Sequence, residues 1–249
     1  MSATDTDAST NRDSSPNANH GNSPASSRSS RQLQEFSFRD IVHNLFVIAW
    51  PLNKIANQAE LSLPDDADAT LAYGFIHPKL GLSFAAFAPA RTSDLGIYDE
   101  LALNKTTHQL MMVPAEGLHP QTAVFDLSHR PDLYGAYADH MTLVDKLAQN
   151  DPDQHATRAD PWIDYLRNRN HPDIVRVLLV DKTKQLSPEF VLFELLGYVD
   201  KDNFYGRLLN EPTGEFGVHE GELMVVVRQE EEIGILLLTQ QDLTLETND

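Results

Sequence analysis

Cysteine is absent from all 249 residues. That excludes disulfides, thiolate metal sites and a cysteine nucleophile together. Long apolar runs are missing as well. The longest near-apolar stretch is LFVIAWPL at residues 45–52, far short of the ~20 residues with which a helix spans a bilayer. The first residues lack the charged start and apolar centre of a secretory signal, so a cytoplasmic location and no membrane contact are expected. Positive charge is scarce: 19 Lys and Arg stand against 37 Asp and Glu, a formal net charge of −18. Such a field repels a nucleic-acid backbone, and direct nucleic-acid binding is not expected. Also missing are a G-x-S-x-G elbow, a phosphate-cradling glycine loop and a G-x-G-x-x-G turn.

What is present divides unevenly. In residues 1–31, Asp5, Asp7 and Asp13 are balanced by Arg12, Arg28 and Arg31, so the acidic excess belongs to the remainder. Residues 220–249 carry 8 acids and a single base, Arg228. Residues 1–33 are rich in Ser, Thr, Asn and Asp with little apolar side chain, which predicts a disordered tail. The chain is 41% hydrophobic, and beyond the tail it is long enough to bury a core without covalent staples. An acidic surface steers association with a basic protein, though it also serves plain solubility.

Order is expected near Phe36. FSFRDIV leads into a buried strand at LFVIAWP, with a helix through Phe36–Phe46 as the alternative. Residues 53–61 carry a modest helical pattern. TLAYGFIH (70–77) and LSFAAFAPA (82–90) read as a hairpin in which Gly81 can take positive φ. Residues 94–113 point weakly to helix, and TAVFDL (122–127) to a central strand. In PDLYGAYADHMTLVDKLAQ (131–149), Leu133, Tyr137, Met141 and Val144 recur at helical spacing behind a first-turn proline, leaving Asp139, Thr142 and Lys146 for solvent.

NDPDQHATRAD (150–160) is polar and interrupted by proline, which suggests a border between two halves. The organisation predicted is therefore a tail (1–33), a first α+β domain (34–155) and a second (156–249). Asp160 should cap a short helix at PWIDYLRNR. Apolar strands follow at 174–180, 189–199, 204–209, 222–227 and 233–238, with a turn at DKDN (200–203). The fold class is α+β, with mostly antiparallel sheets packed against a few helices.

The corner FYGRLLNEPTGEFGVHEGELMVVV (204–227) is the most distinctive stretch. Gly206 fits a bulge or a close backbone approach, Pro212 stops a strand and Asn210 can bond its own backbone two residues on. Gly206, Leu208, Asn210, Pro212, Gly221 and Glu222 follow the pattern of a G-x-L-x-N-x-P corner leading to a G-[DE] turn. In this, residues 188–227 resemble the bacterial YegJ-type domain of unknown function. The resemblance implies a fold and a bacterial setting, and no established activity or catalytic residue.

Structural duties account for the corner without any ligand, while Arg207, Glu211 and His219 remain a candidate partner surface. Glu230, Glu231 and Glu232 read as an exposed acidic turn and join that candidate surface; adjacent carboxylates do not face one cleft as a glycosidase requires. Ten histidines are present, yet none has metal-ligand spacing: Asp139 and His140 diverge by about 100° around a helix. No metal or cofactor is indicated, and the oligomeric state is not encoded in any visible pattern. The leading expectation is a non-enzymatic acidic module, inhibitor- or immunity-like, that binds a basic protein. The alternative is a hydrolase with His129, Asp126 and Glu211 converging between the halves. Trp50 and Trp162 read as core or rim anchors; Phe36, Phe38, Phe46 and Trp50 are either core or an exposed patch.

Overall fold

The computed structural model describes residues 30–51, 54, 64–98, 111–148, 151–181, 185–231 and 234–239. Its fold is α+β, built on two sheets. The first has six strands: β1 (Arg31–Gln32), β2 (Leu45–Ile48), β3 (Ala69–His77), β4 (Gly81–Ala90), β5 (Met111–Pro114) and β6 (Ala123–Asp126). Their order is β1-β6-β2-β3-β4-β5, and every neighbouring pair is antiparallel. Order therefore begins before Phe36. Arg31 and Gln32 pair with Val124 and Ala123, and Leu33 is buried, so the disorder expected through residue 33 is corrected for 31–33. Residues 1–29 lie outside the described part.

β3 and β4 are buried along almost their whole length, because both faces of the sheet are covered. One face packs Tyr73, Phe75 and Phe87 against Leu133, Tyr137 and Val144. The other packs Phe46, Ile76 and Phe84 against Leu33, Phe36 and Ile41. Phe36 and Phe46 are thus core residues, meeting edge to face at 5.6 Å; Phe38 and Trp50 pack half-buried at its margin. The stretch around Phe36–Phe46 holds only one helical turn, α1 (Phe38–Ile41), capped by Ser37. At the hairpin tip Gly81 has φ +67°, as its position required.

The helix expected over 131–149 is bent into α2 (Pro131–Ala136) and α3 (Ala138–Leu147). The bend falls at Tyr137, whose ring stacks on Phe87 at 5.6 Å. Hydrogen bonds from Tyr137 N–H to Leu133 and from Met141 N–H to Tyr137 carry the helix through it. Leu133, Tyr137 and Val144 are buried, and Asp139, Thr142 and Lys146 are exposed. β6 lies between β1 and β2, one position in from the edge rather than central. Met111 belongs to strand β5 rather than to a helix, and residues 99–110 and most of the expected helix at 53–61 lie outside the described residues.

The polar stretch taken for a border holds a helix, α4 (Pro152–Arg158). Its proline occupies the first turn, where the missing N–H costs nothing, and Asp151 accepts from the Asp153 N–H. The expected border at 155/156 falls inside this helix. Gln154 donates to the Leu195 carbonyl at 3.2 Å, which fixes α4 on the second sheet. Asp160 caps the Trp162 N–H as predicted, opening a 3₁₀ helix at Pro161–Leu166.

The second sheet is a closed five-stranded barrel: β7 (Ile174–Leu179), β8 (Glu189–Tyr198), β9 (Asn203–Leu208), β10 (Leu223–Glu231) and β11 (Gly234–Thr239). Consecutive strands are antiparallel, and β11 closes on β7 in parallel. Val177, Phe193, Leu195, Phe204, Leu208 and Val226 fill the interior. Gly206 is required by proximity. A Cβ there would stand 2.1 Å from the Glu194 carbonyl oxygen and 2.5 Å from the Phe193 ring.

Arginines join the two sheets. Arg39, beyond β1, forms a bidentate pair with Asp164 at 2.5 and 2.9 Å. Arg169 donates to the carbonyls of Leu33, Gln34 and Phe36, and the Leu82 N–H at the hairpin tip donates to Asn170. Behind them Arg167 is almost wholly buried and donates to Thr157 and Pro172 carbonyls at 2.5 and 2.6 Å.

Candidate functional site

The corner after β9 is a lid over one end of the barrel. Pro212 and Phe216 are buried and Phe216 joins the interior. Its polar groups are consumed in holding it. Asn210 does not bond its own backbone two residues on; its Oδ1 accepts from the Leu192 N–H at 2.7 Å, extending the ladder of β8. Glu189 accepts from the Thr213 and Gly214 N–H groups, and these bonds hold its carboxyl below the usual range. Gly217 and Gly221 take φ of +74° and +85°.

Of the candidate surface residues, Glu211 and His219 meet. His219 Nδ1 lies 2.8 Å from Glu211 Oε1, and the Glu220 N–H donates to Glu211 Oε2 at 2.9 Å. The Glu220 N–H first, and His219 second, hold the Glu211 carboxyl low; Glu211 raises the imidazole in return. Arg207 stands apart on the outer wall, opposite Glu194 and Leu223 in register. Glu230 and Glu231 are not in a turn. They continue β10, opposite Ile235 and Gly234, and Glu232 lies outside the described residues. Asp126 is spent locally, accepting from the Ser128 N–H at 2.8 Å, whereas Glu211 belongs to the barrel lid. No described hydrogen bond or cavity joins Asp126, His129 and Glu211.

Glu230 instead borders a groove that composition did not reveal. Trp162, Lys201, Asp202, Arg228 and Glu230 line a depression of about 430 Å³. In a 3₁₀ helix, residues three apart eclipse. Ile163 and Leu166 therefore share the inward ridge and are buried, while Trp162 and Tyr165 share the outward one, 66% and 53% exposed. Trp162 is thus no core anchor. The legible signal was the i, i+3 pairing in PWIDYL, Ile163 with Leu166 and Trp162 with Tyr165, which puts each pair on one side of a helical turn.

The groove floor is fixed by a carboxylate–guanidinium chain. Arg228 donates to Asp160 at 2.8 Å and to Asp202 at 2.6 Å. Tyr198 donates to the same Asp160 at 3.2 Å, and burial, then the Asp160 charge, pushes its phenol up to about 12. Both Asp160 and Arg228 are mostly buried, whereas Asp202 is half open to solvent. With Arg228 answered by two carboxylates, the exposed rim offers Glu230 and the open side of Asp202 beside the Trp162 indole, with one ammonium, that of Lys201, among them. Among the described residues no cluster of three or more His, Asp or Glu is arranged for a metal ion, and no helix is long and apolar enough to cross a membrane. No family model, curated protein or solved structure matches the chain.

Proposed function

We propose that the protein is a non-enzymatic, bacterial, cytoplasmic binding module that takes a basic segment of another protein in the Trp162 groove. One observation carries the reading: the most exposed of the described large apolar side chains, Trp162 at 66%, lines the same groove as the carboxylates of Asp202 and Glu230. Exposed Trp and Tyr are the side chains around which binding energy concentrates. A lysine or arginine laid over the indole gains a cation–π contact, and the adjacent carboxylates supply its counter-charge. The −18 net charge would speed the approach of such a partner and disfavour acidic ones. An inhibitor- or immunity-like role against a basic protein fits these properties. The likeness of residues 188–227 to the YegJ-type domain agrees with a bacterial setting.

The test is a titration of the full chain with a fluorescein-labelled Arg/Lys/Ala peptide, with an Asp/Glu/Ala peptide of equal length as control. The basic peptide should bind, weaken as salt rises, and lose about ten-fold in affinity in Trp162→Ala. Glu230→Gln should cost about three-fold, as expected for a rim charge. Equal binding by Trp162→Ala and the native protein would overturn the assignment.

A further inference from the structure

A separate cleft, of about 200 Å³, opens where α1 and the end of β3 face α4. Phe38, Val42, Phe75 and Ile76 give it an apolar surface, and His43 stands at its edge. The two arginines there are already matched, Arg39 by Asp164 and Arg158 by Asp173. The cleft thus offers no unanswered charge. A cavity of about 150 Å³ suffices for benzene, so the space suits one ring with a substituent.

His43 is held in an unusual way. It follows the last turn of α1 and has φ +63°, a left-handed position that glycine or asparagine fills with less strain. Its N–H donates to the Gly74 carbonyl at 2.8 Å. Gly74 permits this, since a Cβ there would come within 2.2 Å of the Ile41 carbonyl oxygen. The imidazole is then fixed by Tyr73 and Asp145. The Tyr73 hydroxyl donates to Asp145 Oδ1 at 3.0 Å, and burial keeps that phenol protonated well beyond the ordinary tyrosine range. With its proton committed, the Tyr73 oxygen can only accept, and His43 Nδ1 lies 2.9 Å from it and 3.3 Å from Asp145 Oδ1. In the neutral imidazole this arrangement places the hydrogen on Nδ1 and the lone pair on Nε2. A helix end alone would explain the backbone, but not an imidazole oriented in this way.

We propose that this cleft binds a small neutral molecule of the phenol class, its ring against Phe38 and Val42 and its hydroxyl donating to His43 Nε2. The proposal is independent of the Trp162 groove, which shares no lining residue with it.

The probes are 4-fluorophenol and fluorobenzene, titrated into the full-length protein and followed by ¹⁹F NMR. The phenol should bind about five-fold more tightly than fluorobenzene, the worth of one hydrogen bond. His43→Gly should erase that preference while leaving the melting temperature unchanged or higher, because the left-handed position favours glycine. His43→Asn, which also tolerates the position, guards against a folding artefact and should behave alike. In the native protein the Nε2 ¹⁵N resonance should move on adding 4-fluorophenol, and that of Nδ1 should stay. Equal binding of the two probes, no binding at millimolar concentration, or a preference that survives both substitutions would overturn the proposal.

Discussion

Glu211 and His219 show how a polar pair can be structural and still report on pH. Each shifts the other toward its charged form, Glu211 downward and His219 upward. Stability from the depressed carboxyl is present above its unfolded value and is lost as pH falls through the folded one. Stability from the raised imidazole is complete below its unfolded value and is lost as pH rises through the folded one. The pair is therefore whole only in mildly acidic solution, between those limits. Because both groups are open to solvent, salt should screen the effect. Glu211→Gln should lower the His219 titration, followed by NMR of its ring protons, toward the ordinary histidine value, with Glu222 still raising it slightly; an unmoved titration would mean that the contact does not persist in solution.

At the scale of elements, the barrel strands were legible because runs such as FVLF and LMVVV leave only turns between them. The lid was legible as structure from Gly206, Pro212 and the two later glycines. The partner of Asn210 was not, since Leu192 lies 18 positions earlier and only tertiary pairing brings its N–H alongside. Asn210→Ala removes that acceptor and should cost about 1 kcal/mol, read from urea unfolding, with faster hydrogen exchange at the Leu192 amide. At α4 the composition showed less than the stretch holds. Proline and polar composition at 150–160 read as a border, yet Pro152 begins a helix whose anchoring contact is the distant Leu195 carbonyl. The Trp162 groove escaped notice for a related reason. Its floor joins Asp160, Asp202 and Arg228, three segments that converge only when the barrel forms.

At the scale of the whole molecule, the arginines between the sheets differ in what they contribute. Arg39 is a third exposed, and its loss should cost no more than about 1 kcal/mol. Arg167 has only 1% of its side chain exposed and satisfies two carbonyls. Arg167→Met leaves the Pro172 carbonyl without its side-chain donor and the Thr157 carbonyl with backbone donors alone, and should cost about 3 kcal/mol. Thermal unfolding should then fall by roughly 9 °C, against a few degrees at most for Arg39→Met. Equal losses at the two sites would show that the joint carries its strength at the surface instead.

The parallel closure of β11 on β7 carries a consequence in time rather than in space. A barrel of consecutive antiparallel strands closes by joining its first and last members, and where the strand number is odd that closing pair must be parallel. Here those are Ile174–Leu179 and Gly234–Thr239. During synthesis β7 to β10 can pair as they emerge, but β7 keeps an open edge until β11 has left the ribosome. Closing so long a loop is a slow step, and an open edge is where strands of other chains add. A nascent chain stalled before residue 234 should therefore be the species most prone to associate with its own copies, and translation speed across β10 and β11 becomes a determinant of yield.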